Sequence, residues 1–298
     1  MDYIWLILSI IGLSISSDYL VINSQKIAAK CRLSSTTFGA LIVGPATSLP
    51  ELVVSIEAMT RPLPDIVFGN ALGSVIANTS LILATSLLLV PSIVIQRQTI
   101  VWQLFDVLTL ALCFVLSQTN WLLSLLLLLV YGLRAYGSSR LEHDLKPVKS
   151  TENLWLLLGV FLLALAVLLF SSELLIDSCR SIAIEWGVSD LVIGLSIVAL
   201  GTSLPELATN LSSIKHGDYQ LAIGNIMGSN TVCLLVIAPI VGWWGQFPIP
   251  MINLTRDIPI ILVLNAAVLL HTYLHWKSIV PMLLIVLYAA YQLLLYLY

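Results

Sequence analysis

Apolar runs of about twenty residues follow one another along this chain, separated by short polar or proline-bearing stretches. Ten helices fit the pattern, at about 3–24, 36–59, 65–90, 100–117, 121–137, 152–176, 189–213, 220–242, 257–272 and 278–297. A helix of roughly 20 apolar residues crosses the hydrocarbon core of a bilayer. The only hydrophilic stretch of any length, Ser138 to Ser150, falls between the fifth and sixth helices. It divides the chain into a first five-helix unit (1–137), a cytoplasmic linker (138–150) and a second five-helix unit (151–298). No stretch is left over for a folded domain outside the membrane.

Composition agrees. Of 298 residues, 59% are hydrophobic and 10% charged, where a soluble domain carries about a quarter charged residues. The mean hydropathy is +1.00. This is an all-α polytopic membrane protein, expected to sit in a lipid bilayer, to bind no nucleic acid and to work as a monomer. The first apolar segment follows Met1-Asp2-Tyr3 with no basic region and no small-residue cleavage site, so it reads as a retained helix and not a signal peptide. Cys31, Cys113, Cys179 and Cys233 show no paired spacing, which suggests neither a disulfide framework nor a zinc site.

The distribution of charge says more than its net value. Lys26, Lys30, Arg32, Arg97, Arg134, Arg140, Lys146, Lys149, Lys215 and Lys277 fall on one side of the predicted helices, and only Arg61, Arg180 and Arg256 on the other. Basic loops stay in the cytoplasm. Both termini are therefore expected outside the cell membrane. Tryptophans 102, 121, 155, 186, 243, 244 and 276 stand near helix ends, as an interfacial belt would.

The two units are copies. Thr47-Ser48-Leu49-Pro50-Glu51 recurs as Thr202-Ser203-Leu204-Pro205-Glu206, an offset of 155. The same offset carries Gly69-Asn70 onto Gly224-Asn225, Gly73-Ser74 onto Gly228-Ser229, and Ser17-Asp18 onto Ser172-Glu173. The copied segments cover 39–87 and 194–242. An odd number of helices per copy makes the second enter the membrane from the opposite face, which gives an inverted pair.

Each copy breaks an apolar helix at the same place. Pro45 and Pro50 remove backbone donors and clash with the preceding turn. Carbonyls near Val43, Gly44, Ala46 and Thr47 are expected to lose helical partners. Irregular backbone at membrane depth survives where it lines a polar cavity. The Thr47 and Ser48 hydroxyls and the Glu51 carboxylate lie beside it, as do Ala199, Thr202, Ser203 and Glu206 around Pro205 in the second copy. All are oxygen donors, which suit hard cations such as Ca²⁺ and Na⁺. A proline can also simply kink a helix; a glutamate at the same offset from the proline in both copies favours a site. Glycines four apart in Gly69–Ser74 and Gly224–Ser229 allow close helix packing. Asn70, Ser74 and Asn78 form one polar stripe, and Asn225 and Ser229 repeat it.

Paired segments of this form, A-x-G-T-S-x-P-E followed by G-N-x-x-G-S-N, resemble the alpha repeats of the cation/Ca²⁺ exchanger superfamily, and most closely its prokaryotic Na⁺/Ca²⁺ exchanger branch. The resemblance covers nearly the whole chain. It implies an inverted five-plus-five fold, a secondary antiporter exchanging Ca²⁺ for Na⁺ by alternating access, and no cofactor. The implied ligands are Gly44 and Ala199 through their carbonyls, with Thr47, Ser48, Glu51, Ser74, Asn78, Thr202, Ser203, Glu206 and Ser229. Asn70, Asn225 and Cys233 stand behind these. Three positions depart from the family pattern. Gly44-Pro45-Ala46-Thr47 replaces A-x-G-T, Val75 replaces the asparagine seen at Asn230, and Cys233 stands where the family has Asn or Asp. A thiol is a poor ligand for hard cations. The family's H⁺-coupled branch carries an acidic residue in the segment after G-N; Gly73-Ser74 and Gly228-Ser229 stand there instead, which favours sodium coupling over proton coupling, with an H⁺- or K⁺-coupled antiporter as the alternative.

Two other classes compete. An intramembrane enzyme using Ser48 or Ser203 lacks the glycine-flanked nucleophile turn and a neighbouring histidine. A cation channel could use buried carboxylates, but selective filters commonly assemble rings from several repeats. Asp18 and Glu173 read as structural anchors, Glu57 as an outer vestibule residue and Asp106 as lacking a nameable partner. His143, His216, His271 and His275 read as solvated near cytoplasmic loops.

Overall fold

The computed structural model describes residues 2–61, 63–91, 93, 95, 97–115, 121–140, 152–187, 199–244, 252–274 and 278–297. Helices stand in each of the ten regions that the apolar pattern marks: α1 (Asp2–Cys31), α2 (Ser35–Thr47), α3 (Leu49–Thr60), α4 (Pro64–Leu89), α5 (Arg97–Val115), α6 (Trp121–Arg140), α7 (Leu154–Glu185), α8 (Leu204–Lys215), α9 (Tyr219–Ile240), α10 (Ile258–Leu274) and α11 (Ile279–Leu297). Helices α2 and α3 share one of those regions, so the second predicted helix is a bent pair, turning by 43°. Among the described residues, five spans, at α1, α4, α7, α9 and α10, are long and apolar enough to cross a membrane, and the bent pair makes a sixth.

The ends of the first helices run past their predicted limits, to Cys31 and Glu185, because polar residues such as Asn23, Ser24, Asp177 and Ser178 continue the helix instead of capping it. Asn153 starts α7 by accepting a hydrogen bond from the Trp155 N–H at 2.9 Å, the usual role of an N-cap side chain. Likewise α6 continues into the predicted linker as far as Arg140; residues 141–150, with His143, and the stretch 188–198, which opens the second copied segment, lie outside the described residues.

Burial sorts the helices into a centre and a rim. In α9, 94% of the spanning window is buried and in α4 72%, against 33% in both α1 and α7. The centre is therefore α4 and α9. Helices α1 and α7 face outward along much of their length, where Leu156, Leu162, Leu163 and Phe170 of α7 are exposed. Trp102, Trp121, Trp155, Trp186, Trp243 and Trp244 are all exposed, as interfacial anchors would be.

Three contacts fix how α1 meets α7. Tyr3 OH accepts from Trp186 Nε1 at 3.2 Å, Gly12 packs on Ser171, and Lys26 pairs with Glu152 at 2.8 Å. As the α1 number rises the α7 number falls, so the first helices of the two copies run antiparallel. Phe38 joins α2 to this pair through an edge-on contact with Phe161, centroids 6.3 Å apart.

At the centre, α2 lies against α9 backbone to backbone. A Cβ at Gly39 would sit 2.8 Å from the Leu221 carbonyl oxygen, and one at Gly228 would sit 2.7 Å from the Ala40 Cα. Only glycine permits that approach.

Candidate cation site

The break between α2 and α3 sets the site's geometry. Ser48 joins the helices with φ −83° and ψ 12°, and Ser203 repeats this with φ −88° and ψ 6°. Neither conformation continues a helix, and Pro50 and Pro205 follow at the second position of the new helix, where a missing N–H costs nothing. Glu51 and Glu206 thereby lie in the first turns of α3 and α8. Both are fully buried.

Around them the two copies interlock. Ser48 Oγ lies 3.1 Å from Glu206 Oε1 and 2.7 Å from Ser229 Oγ. Ser74 Oγ lies 3.2 Å from Glu51 Oε1 and 3.2 Å from Ser203 Oγ, and Ser229 Oγ lies 3.2 Å from Glu206 Oε1. Thr202 borders the Glu51 carboxylate and Thr47 that of Glu206, and the two carboxylates are close enough to repel each other. Two of these contacts recur at the 155-residue offset: Ser48–Ser229 matches Ser203–Ser74, and Ser74–Glu51 matches Ser229–Glu206. Such reciprocity is the mark of a two-fold axis, so the repeats face each other across the glutamates.

The chemistry here is rich in oxygen and poor in hydrogen. A serine hydroxyl has one proton to give, yet Ser48 Oγ is within reach of the Gly44 carbonyl at 2.9 Å, Glu206 Oε1 and Ser229 Oγ. Oε2 of Glu51, Oε2 of Glu206 and Oδ1 of Asn78 receive no hydrogen bond among the described residues and are shielded from solvent. Buried carboxylate oxygens left bare are costly unless a cation completes them. Ligands drawn mostly from neutral oxygens also explain why no cluster of three His, Cys, Asp or Glu occurs among the described residues.

The structure brings together Thr47, Ser48, Glu51, Ser74, Thr202, Ser203, Glu206 and Ser229. Asn78 joins through its amide, donating to Ser229 Oγ at 3.0 Å and Asn230 Oδ1 at 3.1 Å. Cys233 is buried near Ser74 and Ser229. It begins a π-helical turn, Cys233–Ile237, and Asn78 begins the matching turn, Asn78–Ile82; such turns recur at functional sites.

Several expectations change. The Gly44 carbonyl is not unpartnered: it accepts from the Ser48 N–H at 3.1 Å and from the Thr47 and Ser48 hydroxyls at 3.1 and 2.9 Å. Its helical donor is retained, because the N–H that Pro45 lacks would have served a carbonyl one turn earlier, and the two hydroxyls add to it. Ala199 starts a short helical turn, Ala199–Gly201, just before the second break. Asn70 and Asn225 brace the site from behind. Asn70 Nδ2 donates to the Glu51 carbonyl at 3.0 Å and Ser55 Oγ at 3.2 Å, and Asn225 Nδ2 to the Glu206 carbonyl at 3.4 Å and Asn210 Oδ1 at 3.2 Å. Ser55 and Asn210 escaped sequence reading because serine and asparagine at matched positions look unrelated. Their signal was position, one turn beyond each glutamate. Asp106 has a partner, Thr231 Oγ1 at 2.9 Å. His271 is buried, not solvated, because α10 turns it inward. Glu57 pairs with Arg61 at 3.1 Å on an exposed surface.

Comparison with known proteins settles the family. A family model for the sodium/calcium exchanger protein matches residues 1–139 and 156–297. The chain belongs to the sodium/calcium exchanger family. This exchanger is 35% identical over 255 residues to the putative antiporter CaxA of Alkalimonas amylolytica, covering 78% of each chain. It is 26% identical to the sodium/calcium exchanger MaX1 of Methanosarcina acetivorans, over 93% of this chain and 92% of that one. Its fold matches the sodium-calcium exchanger NCX_Mj soaked with zero Na⁺ and Ca²⁺, with TM-score 0.84, 26% identity and 97% of each chain covered. It is thus a transmembrane antiporter of a calcium- and sodium-transporting family.

Proposed function

We propose that this exchanger moves Ca²⁺ against Na⁺ through one site between its two repeats, by alternating access. The observation that carries the reading is the pair of buried, bare carboxylate oxygens on Glu51 and Glu206, set in a ring of hydroxyls short of protons. Two carboxylates supply about two negative charges, matched by one divalent or several monovalent cations. Ions that share one set of oxygens exclude each other, and an unoccupied pair of buried carboxylates is costly to carry across. Exchange follows from those two facts.

Thr47, Ser48, Glu51, Ser74, Thr202, Ser203, Glu206 and Ser229 form the ligand set, with the carbonyls of Gly44 and Ala199 at its edge and Asn78 beside it. Cys233 offers sulfur where Asn78 offers oxygen, which weakens that flank for a hard cation. The same reading has ten helices in an inverted arrangement, divided at 138–150, with both termini outside the cell membrane and the site at mid-depth. The segments after Gly69-Asn70 and Gly224-Asn225 carry Gly73-Ser74 and Gly228-Ser229 in place of an acidic residue, which favours Na⁺ over H⁺ as the coupling ion.

The test is Ca²⁺ uptake into proteoliposomes driven in turn by Na⁺, K⁺ and pH gradients. Uptake that requires an outward Na⁺ gradient, and reverses with it, is the expected result. Uptake that persists without any counter-ion gradient would make the protein a channel, and uptake driven only by K⁺ or pH would replace sodium as the coupling ion.

A further inference from the structure

The two-fold relation that holds at the glutamates fails at the edge of the molecule. Asp18 of α1 pairs with Lys215 at the end of α8, accepts from Ser212 Oγ at 2.7 Å and lies 3.3 Å from His216 Nε2. Helix α1 packs along α8 there. Adding 155 carries Asp18 to Glu173 of α7, and subtracting it carries Lys215 and His216 to Thr60 and Arg61 at the end of α3. Glu173 is exposed, with no hydrogen bond or ion pair among the described residues, and α3 makes no comparable contact with α7. Arg61 turns instead to Glu57, with both side chains well exposed at 71% and 64%.

An unpartnered carboxylate within an apolar spanning helix is costly. Glu173 sits in such a helix, between Leu169-Phe170 and Leu174-Leu175. In the two-fold-related arrangement it would gain Arg61 while Asp18 lost Lys215. We propose that Asp18 and Glu173 are alternating latches: each holds the α1–α7 pair to one broken helix in one of two states, Asp18 to α8 and Glu173 to α3. The arrangement described here has the Asp18 latch closed and the Arg61 face open. This inference rests on the exchanger reading, since only a carrier visits both states in turn. Exposed ion pairs bias an equilibrium about two- to fivefold, enough to set the balance of states without locking either.

Cysteine pairs joined by a short bis-maleimide with a reducible link test it, because ion pairs through side chains as long as Lys215 and Arg61 leave the backbones further apart than the about 7 Å a direct disulfide spans. Cys31, Cys113 and Cys179 are replaced by serine, and a protease site is placed within 141–150. Residues 18 and 215, like 61 and 173, lie on opposite sides of that cut, so cleaved protein runs whole on a gel only when crosslinked. The Asp18→Cys, Lys215→Cys pair should crosslink and stop Ca²⁺ exchange until reduced. The Arg61→Cys, Glu173→Cys pair should crosslink during exchange and stop it likewise. Adding Asp18→Asn to this second pair should raise its crosslinked fraction about two- to fivefold.

Failure of the second pair to crosslink during exchange, while the first does so, would overturn the proposal. An unchanged fraction on adding Asp18→Asn would do the same, because a residue that only packs would not shift the balance. Ca²⁺ exchange by the unaltered protein is measured alongside. Its absence would count against the exchanger reading, and the crosslinks would still report whether both arrangements occur.

Discussion

The two repeats match where they hold the glutamates and diverge one turn beyond. On one side, Asn78 of the first donates to Asn230 of the second, and Asn230 Nδ2 donates to Thr79 Oγ1 at 3.0 Å, which gives a buried polar trio. The positions that the 155-residue offset pairs with these three are Cys233, Val75 and Leu234. One flank of the site is therefore an amide–hydroxyl network and the other is a thiol among aliphatic residues. Divergence of this kind is cheap only if the matched centre binds the ion both states share, and the flanks serve what differs between ions. On the proposed function, the matched centre holds the ligands that both ions share, and the flanks are where selectivity is set.

The strongest way to break that comparison is at its centre. Glu51→Gln and Glu206→Gln should each abolish Ca²⁺ exchange while the protein stays folded, because each removes half the site's charge and leaves its shape. Exchange by either variant at near the parent rate would mean the two carboxylates are not equivalent.

Next comes the packing that holds the halves in register. Gly228→Ala puts a methyl group 2.7 Å from the Ala40 Cα. Overpacking of this sort costs about 1–3 kcal/mol, readable as a lower melting temperature in detergent. Gly159→Ala, where nothing lies within 4 Å among the described residues, is the control and should leave it unchanged or slightly raised.

The flanks give a smaller and more selective effect. Cys233→Asn restores an oxygen donor beside Ser74 and Ser229, and should change the sodium dependence of exchange more than its Ca²⁺ dependence. Equal change in both would make position 233 part of the shared centre, and no change in either would make it packing.

The smallest effect belongs to the threonines. Thr47→Val and Thr202→Val each delete one hydroxyl beside a glutamate. A net loss of about 1 kcal/mol per hydrogen bond weakens ion binding about fivefold. The measure is stabilisation by added Ca²⁺ against heat, which follows occupancy of the folded state. Undiminished stabilisation in both would take the threonines out of the site.

Much of this was legible in sequence for one physical reason. A buried carboxylate and a broken helix are both costly in a membrane, so Thr47–Glu51 and Thr202–Glu206 stand out against an apolar background, and their repetition makes chance a poor account. What stayed hidden depended on distance. Nothing near Asp18 in the chain announces Lys215, 197 residues on, and nothing near Asp106 announces Thr231. The Gly44 carbonyl misled because the N–H that Pro45 lacks is lost to the preceding turn, while Gly44 keeps the Ser48 N–H, and the hydroxyls that also reach it depend on where the side chains turn. His271 misled similarly: hydropathy reports how apolar a helix is, not which face it turns inward.

Backbone packed on backbone leaves no rotamer to adjust and no void to fill. At Gly39, Gly44, Gly224 and Gly228 every alternative residue is larger, and no change in a neighbour can answer it, because the neighbour is main chain. At positions 78 and 233, or 75 and 230, one side chain faces others, and a second substitution can compensate a first. The seam between α2 and α9 is thus a place where no partner can answer a substitution, while the residues a turn away can be exchanged in pairs.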